Sequence, residues 1–326
     1  MKRFAAPLAV AISVAMLSGA AVAQTTLRFA HTQPTADTHH AAALHFKERV
    51  EALTNGEIKV SVHPAGELGN DPAVLEGVRL GTIDIGITGN PFFTRFEPRL
   101  NALDLPYLFK SYNHAYRVID GPIGQSLVDG LRKHRMEPLA IWEIGFRNIT
   151  NSKRPIRVPK DLEGLKIRTT PNPAHVEAFK ILGAIPTPMP FTEVYLALES
   201  GTVDGQENPF SITYSNRFHE VQKHLSVTQH AYTVSILAMN LQKFRSLSEA
   251  HQKAVLQAAN EAKELQRKLN READKEALEG FRKAGVEVIE DVDTEPFRSA
   301  VFDPVKESYV KEHGSEIIDQ IVAAGQ

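Results

Sequence analysis

Two arginines stand where a guanidinium does specific work. Arg168 closes the run Leu165-Lys166-Ile167-Arg168, and Arg147 closes Gly145-Phe146-Arg147. A guanidinium is a planar fork of donors, matched in shape and charge to a carboxylate or phosphate. Further on, Val203-Asp204-Gly205-Gln206-Glu207-Asn208-Pro209 supplies Glu207, an acidic partner for an arginine, and Asn208, an amide that both donates and accepts. Pro209 biases Asn208 toward extended backbone. Such a set recognises an anion. No phrase for covalent chemistry stands beside it: G-x-G-x-x-G, the P-loop, G-x-S-x-G and H-E-x-x-H are all missing. A hydrolytic carboxylate pair leaves no such phrase, so an enzyme is the rival class. A scaffolding protein is the third.

The elements that must carry these residues follow from pattern. Lys166–Thr169 predicts a strand ending on Arg168. Ala174–Leu182 has helical spacing and stops at Gly183, a natural left-handed cap. Pro186–Met189 is extended. Thr192 is a candidate N-cap for a helix that Gly201 closes, and Val203–Gln206 is a third strand. Strand, helix, strand, helix, strand is a parallel βαβαβ unit. Ligands of such sheets sit beyond the carboxyl ends of the strands, where Arg168 and Asn208 fall.

An earlier stretch repeats the design. Thr26–Ala30 is a strand that delivers His31. A helix follows with Ala43, Phe46, Val50 and Leu53 on one face. Glu57–His63 is a strand, and the loop Pro64–Asn70 contains Glu67. Asp71-Pro72 reads as N-cap and first turn, Gly81 caps, and Ile83–Thr88 leads to Asn90. Gly81-Thr82-Ile83-Asp84 matches Gly201-Thr202-Val203-Asp204, each opening the third strand of its unit. Two lobes of similar build are expected. Leu139–Glu143 reads as a strand crossing between them, and Ser226–Thr228 and Thr233–Met239 as strands returning. Ser248 to about Ala284 reads as one long amphipathic helix, able to brace both lobes. The expected division is 24–145 with 236–275 for the first lobe, and 146–235 with 276–326 for the second.

The address is written at the start. Lys2 and Arg3 precede the apolar stretch Phe4–Leu17, and Ala21-Val22-Ala23 is a small-x-small cleavage site. Residues 1–23 read as a secretory signal peptide, with cleavage after Ala23. Removing it takes two of 37 basic residues and none of the 39 acidic ones, so the mature chain is mildly acidic and no nucleic-acid partner is expected. There is no cysteine, which excludes disulfides, a lipoprotein anchor and thiolate metal sites. A soluble periplasmic protein is expected. His31, His39, His40 and His45 are spaced irregularly, so no metal or other cofactor is expected. Some of these histidines read as hydrogen-bonding groups for ligand hydroxyls. Glu67 and Asn90 are candidates to complete the cleft.

With those features together, the chain resembles the solute-binding subunits of tripartite ATP-independent periplasmic (TRAP) transporters, of the C4-dicarboxylate-binding type. The matching phrases are Gly145-Phe146-Arg147, Gly164-Leu165-Lys166-Ile167-Arg168, Pro190-Phe191-Thr192-Glu193-Val194-Tyr195 and Val203 to Pro209. The resemblance implies an α/β fold of the two-lobed, type II-like periplasmic binding kind. It implies that Arg168 holds the ligand carboxylate, Arg147 assists, Asn208 hydrogen-bonds the ligand and Phe191 packs on it. Glu207 and His230 would tie Arg147 into a network between the lobes. It also implies hinge closure and a membrane permease partner driven by an ion gradient. The protein is expected to act as a monomer and not as an enzyme. Neutral first-lobe groups, His31, His39 and Asn90, favour a sugar acid such as a hexuronate. The alternative is a C4-dicarboxylate or another small monocarboxylate or 2-oxo acid.

Overall fold

The computed structural model describes residues 24–325. The expected signal peptide and its cleavage point therefore lie outside the described residues. The strands are β1 (Thr25–His31), β2 (Ile58–His63), β3 (Ile85–Gly89), β4 (Met136–Asn151), β5 (Lys166–Thr169), β6 (Ile185–Pro188), β7 (Gly205–Asn208), β8 (His224–Asn240) and β9 (Glu287–Ile289). They form one sheet in the order β2-β1-β3-β8-β4-β7-β5-β6, with β9 on β8. The order reads the same from either end. In the first lobe β1 lies between β2 and β3, parallel to both; in the second, β5 lies between β6 and β7 in the same way. β3 then runs antiparallel to β8, and β7 antiparallel to β4.

The repeated Gly-Thr-apolar-Asp phrase has one job in both lobes. Gly81 and Gly201 have φ of 82° and 70°, the left-handed turn that ends a helix. Ile83 and Val203 are buried. Asp84 then accepts the backbone N–H of Arg28 at 2.8 Å, and Asp204 that of Lys166 at 2.9 Å. Each aspartate pins the start of the third strand to the first strand of its own unit.

The crossover differs from the sequence expectation. The separate strands expected at 139–143, 226–228 and 233–239 are parts of two unbroken ones. β4 has 16 residues and β8 has 17. They pair antiparallel from Met136 opposite Asn240 to Asn151 opposite His224, with register shifts at Glu143/Gly145 and Arg147/Ile149. Bulges bend and twist a strand without ending it. Gly145, at φ 117°, is the residue that permits the first of these two bends. The lobes thus share a continuous two-stranded ribbon.

The helix Glu249–Lys283, capped by Ser248, braces both lobes: it packs on the first-lobe helix Thr38–Leu53 and on the second-lobe helix Phe210–Ser215. Its buried amides face the ribbon. Gln266 exchanges hydrogen bonds with the Glu143 backbone at 3.0 and 2.8 Å, and Asn270 donates to Glu143 Oε1 at 2.9 Å. The closing helix Glu316–Ala324 packs on first-lobe helices, and its Ile321 carbonyl lies 2.7 Å from His114 Nε2.

Two expected caps are also revised. Asn70, not Asp71, caps the helix Asp71–Leu80 by accepting from the Ala73 N–H at 3.2 Å. Thr192 caps nothing; it lies inside a short 3-10 turn, Phe191–Glu193, that follows Pro190. In the first case the neighbour one position earlier has the extended backbone that a cap requires, which frees the Asp71 carboxylate.

Candidate functional site

Between the lobes is a narrow cavity. Gln33, Asp71 and Phe92 face it from the first lobe, Arg168, Thr170, Phe191 and Asn208 from the second, and Arg147 and Thr233 from the ribbon. Three hydrogen bonds cross between the lobes. Phe191 N–H donates to Asp71 Oδ2 at 3.0 Å, Ser215 Oγ to Asp37 Oδ2 at 2.8 Å, and Asn216 Nδ2 to Gln33 Oε1 at 3.2 Å.

Arg168 is 1% exposed, held on β5 between β6 and β7. Its Nη2 donates to the Met189 carbonyl at 2.8 Å, while its Nε is buried with no partner. Burial pushes its pKa down to about 10. A buried cation with an orphaned donor on a cavity wall is the arrangement a carboxylate completes. The Phe191 ring stands beside it, its centroid 5.8 Å from the guanidinium carbon.

Arg147 is differently committed. Its Nε and Nη2 grip the Glu207 carboxylate, and Nη2 also donates to the Glu207 carbonyl at 2.5 Å. His230 Nε2 lies 3.1 Å from the same carboxylate. Burial would raise the Glu207 pKa, but Arg147 first and His230 next outweigh it and hold the carboxyl well below its usual range. Nη1 makes no hydrogen bond among the described residues and is the donor left for the cavity. Asn208 is also in place, its amide donating to Gln206 Oε1 at 2.6 Å.

Four first-lobe candidates stand apart from this lining. His31 and His39 do not line the cavity. Their rings join the aromatic layer of Phe29 and Trp142. His31 Nε2 lies 3.1 Å from His40 Nδ1, and burial pushes its pKa down to about 3. His39 lies between Asp37 Oδ1 at 2.9 Å and Ser235 Oγ at 3.0 Å, the order of a hydrolytic triad, but all three are buried and none lines the cavity. Asn90 turns away to the Leu100 carbonyl and Asp104, at 3.0 and 2.6 Å. Glu67 is exposed and pairs with His63. The end of a strand fixes where a residue stands, not which face its side chain takes.

Asp71 and Gln33 are the first-lobe groups that sequence reasoning missed. Asp71 is 2% exposed and also accepts from Thr32 Oγ1 at 3.1 Å. Burial raises its pKa, against the Phe191 N–H, Thr32 and the Arg168 charge. The available signal was Asn70-Asp71-Pro72: of two adjacent cap formers, only one can cap.

A model of the bacterial extracellular solute-binding protein family 7, DctP, matches residues 29–312. The 2,3-diketo-L-gulonate-binding periplasmic protein YiaO of Escherichia coli K12 is 40% identical over 310 residues, 94% of each chain. A TRAP periplasmic solute-binding protein of Polaromonas, solved with D-erythronate, superposes with a TM-score of 0.89 at 39% identity, covering 92% of this chain and 98% of that one. Another, of Roseobacter denitrificans, solved with β-D-glucuronate, does so at 0.88 and 32% identity, covering 91% and 99%. The chain belongs to the DctP family of bacterial extracellular solute-binding proteins, family 7, whose members are the solute-binding subunits of TRAP transporters and not enzymes.

Proposed function

We propose that this chain captures a sugar acid, a hexuronate such as galacturonate or glucuronate, in the periplasm and delivers it as a monomer to a TRAP membrane permease. The observation that carries this reading is the pairing of Arg168, with its orphaned Nε, and the Asp71 carboxylate on opposite walls of one cavity. The arginine end takes the ligand carboxylate, with Arg147 Nη1 and Asn208 assisting. The Asp71 end is an acceptor suited to hydroxyl donors. A second ligand carboxylate there would meet a buried like charge, which disfavours a C4-dicarboxylate. The acids held by the related proteins of Polaromonas and Roseobacter are hydroxylated monocarboxylates, which supports the same class.

Thermal shift tests it. Galacturonate, glucuronate, galactonate, succinate and galactose are compared on the wild type and on Arg168→Ala. A ligand bound only by the native state raises its melting temperature. The sugar acids should raise it, hexuronates most, and galactose should not. Loss of one partner of a buried charge pair costs roughly 2–5 kcal/mol, so Arg168→Ala should weaken binding at least about thirtyfold. A galactose shift that survives Arg168→Ala overturns the carboxylate reading. Succinate ahead of every sugar acid overturns the sugar-acid choice.

A further inference from the structure

Two hydroxyls line the ligand cavity, those of Thr170 and Thr233. Thr170 Oγ1 lies 2.9 Å from His175 Nδ1 and is bonded. Thr233 is 0% exposed, and its Oγ1 has no hydrogen-bond partner among the described residues. A buried polar group left in that state costs free energy, and a partner supplied by the ligand removes the cost.

Beneath the cavity is the group that decides what Thr233 can offer. Asp104 ends the turn Pro98–Asp104 and is wholly buried. Its Oδ2 accepts from Asn90 at 2.6 Å and from Asn172 at 2.9 Å. Its Oδ1 has no partner among the described residues, and His175 Nε2 is 3.9 Å from it. Burial raises the Asp104 pKa to about 7, opposed by Asn90, the Arg147 charge and the Thr233 hydroxyl. Above that value the carboxylate only accepts. Thr233 then turns its proton toward Asp104. Neutral His175 carries its own proton on Nε2, which leaves Nδ1 to accept from Thr170. Both cavity hydroxyls thus direct their protons away from the ligand. A hydroxyl has one proton and two lone pairs, so Thr233 meets the cavity as an acceptor.

The ribbon places that acceptor near the ligand carboxylate. Ala231 is opposite Arg147, and Thr233 is the next residue of β8 on the same face. Such diagonal neighbours lie about 7–8 Å apart, within reach of a long side chain. Thr233 therefore stands by the arginines, and Asp71 stands on the wall across from Arg168. In a hexuronate ring two oxygens flank the carbon that bears the carboxylate. One is the ring oxygen, which cannot donate. The other is the hydroxyl on the neighbouring carbon, which can. That carbon is the one at which galacturonate and glucuronate differ.

We infer that Thr233 is a specificity-determining residue: it accepts a hydrogen bond from the ligand hydroxyl nearest the carboxylate, and so separates the two hexuronates. The inference rests on the reading that a sugar acid is bound with its carboxylate on the arginines. The ligand is then fixed at three points, by the arginines, by Thr233 and by Asp71. Three points distinguish epimers where two do not.

Calorimetry at about pH 8, above the raised Asp104 pKa, tests it. Galacturonate and glucuronate are compared with the deoxy analogue that lacks only that hydroxyl. In wild type one epimer should bind roughly five- to thirtyfold more tightly than the deoxy analogue. Thr233→Val keeps the shape and removes the hydroxyl. It also takes a donor from Asp104, but that loss falls on every ligand alike, so the ratio between ligands isolates the contact. In Thr233→Val the preferred epimer, its partner epimer and the deoxy analogue should bind within about twofold of one another. Thr233→Ser should restore the wild-type ratio. A ratio unchanged in Thr233→Val overturns the assignment, and so does a wild type that binds the deoxy analogue as well as it binds both hexuronates. If neither hexuronate binds but D-galactonate does, the hexuronate reading fails alone. D-Galactonate and its analogue without the hydroxyl next to the carboxylate then decide Thr233 by the same ratio. If no sugar acid binds, the ligand reading and the assignment fall together.

Discussion

Asp71 of the first lobe accepts the backbone N–H of Phe191 of the second at 3.0 Å, across the cavity where Arg168 waits for an anion. The bond exists because Asn70 takes the helix cap and leaves the Asp71 side chain free. One carboxylate therefore helps to close the lobes and presents an acceptor to whatever is enclosed.

Asp71→Asn keeps the size and removes the charge. Hydrogen bonds to charged groups contribute about 1.5–3 kcal/mol, so sugar-acid affinity should fall roughly ten- to hundredfold. Succinate should lose less, or gain, because the like charge is gone. Calorimetry with galacturonate and succinate measures the ratio. Equal losses for both would leave Asp71 a closing contact without a part in selectivity.

Glu207→Ala strands Arg147, which is 2% exposed. Breaking a buried ion pair costs roughly 3–5 kcal/mol, and urea unfolding at neutral pH should register it. His230→Ala removes one contact at 3.1 Å and should cost less. The pH dependence is fixed in sign. The Glu207 carboxyl is held well below its usual range, chiefly by Arg147 against the opposing effect of burial. Its contribution is full above the unfolded pKa of about 4.3 and is lost as pH falls toward the folded value. The gap between wild type and Glu207→Gln should be constant near neutrality and shrink only below about pH 4. A gap that closes between pH 7 and pH 5 contradicts this account.

Asn270 anchors the bend in the ribbon. It donates to Glu143 Oε1 and the Ile144 carbonyl at 2.9 and 3.1 Å, and accepts from Ser211 Oγ at 3.0 Å. Asn270→Leu leaves these buried groups unpaired and should destabilise by about 2–4 kcal/mol. Amide exchange should quicken around Glu143–Gly145. Exchange at the wild-type rate there would show that the brace does not control the bend.

Few of the hydrogen bonds described here cross between the lobes, so the empty protein should open and ligand should shift it shut. Small-angle scattering should give a smaller radius of gyration with saturating galacturonate. Asp37→Ala, which removes the bond from Ser215, should need more ligand for the same change. An identical profile with and without bound ligand would mean that the lobes do not move.

Both βαβαβ units were legible in the sequence, because glycine at 81, 183 and 201 punctuates the helices at the positive φ that other residues avoid. So was the long helix, from its apolar spacing. Less legible was the ribbon. Bulges at Glu143/Gly145 and Arg147/Ile149 interrupt the alternation that marks a strand, so one strand read as pieces. Among site residues, Arg168, Arg147, Phe191 and Asn208 meet at one cavity, while His31, His39, Asn90 and Glu67 do not.

The sequence by itself determined the two βαβαβ units, the long helix and the family, because these rest on periodicity, turn chemistry and short contiguous phrases. Only the tertiary structure decided which groups face the ligand and which face each other beneath it. Asp71 and Phe191 are 120 positions apart, and Asp104 and Asn172 are 68 apart. Their roles arise from burial and from competition for partners brought together by folding, and no local pattern encodes either.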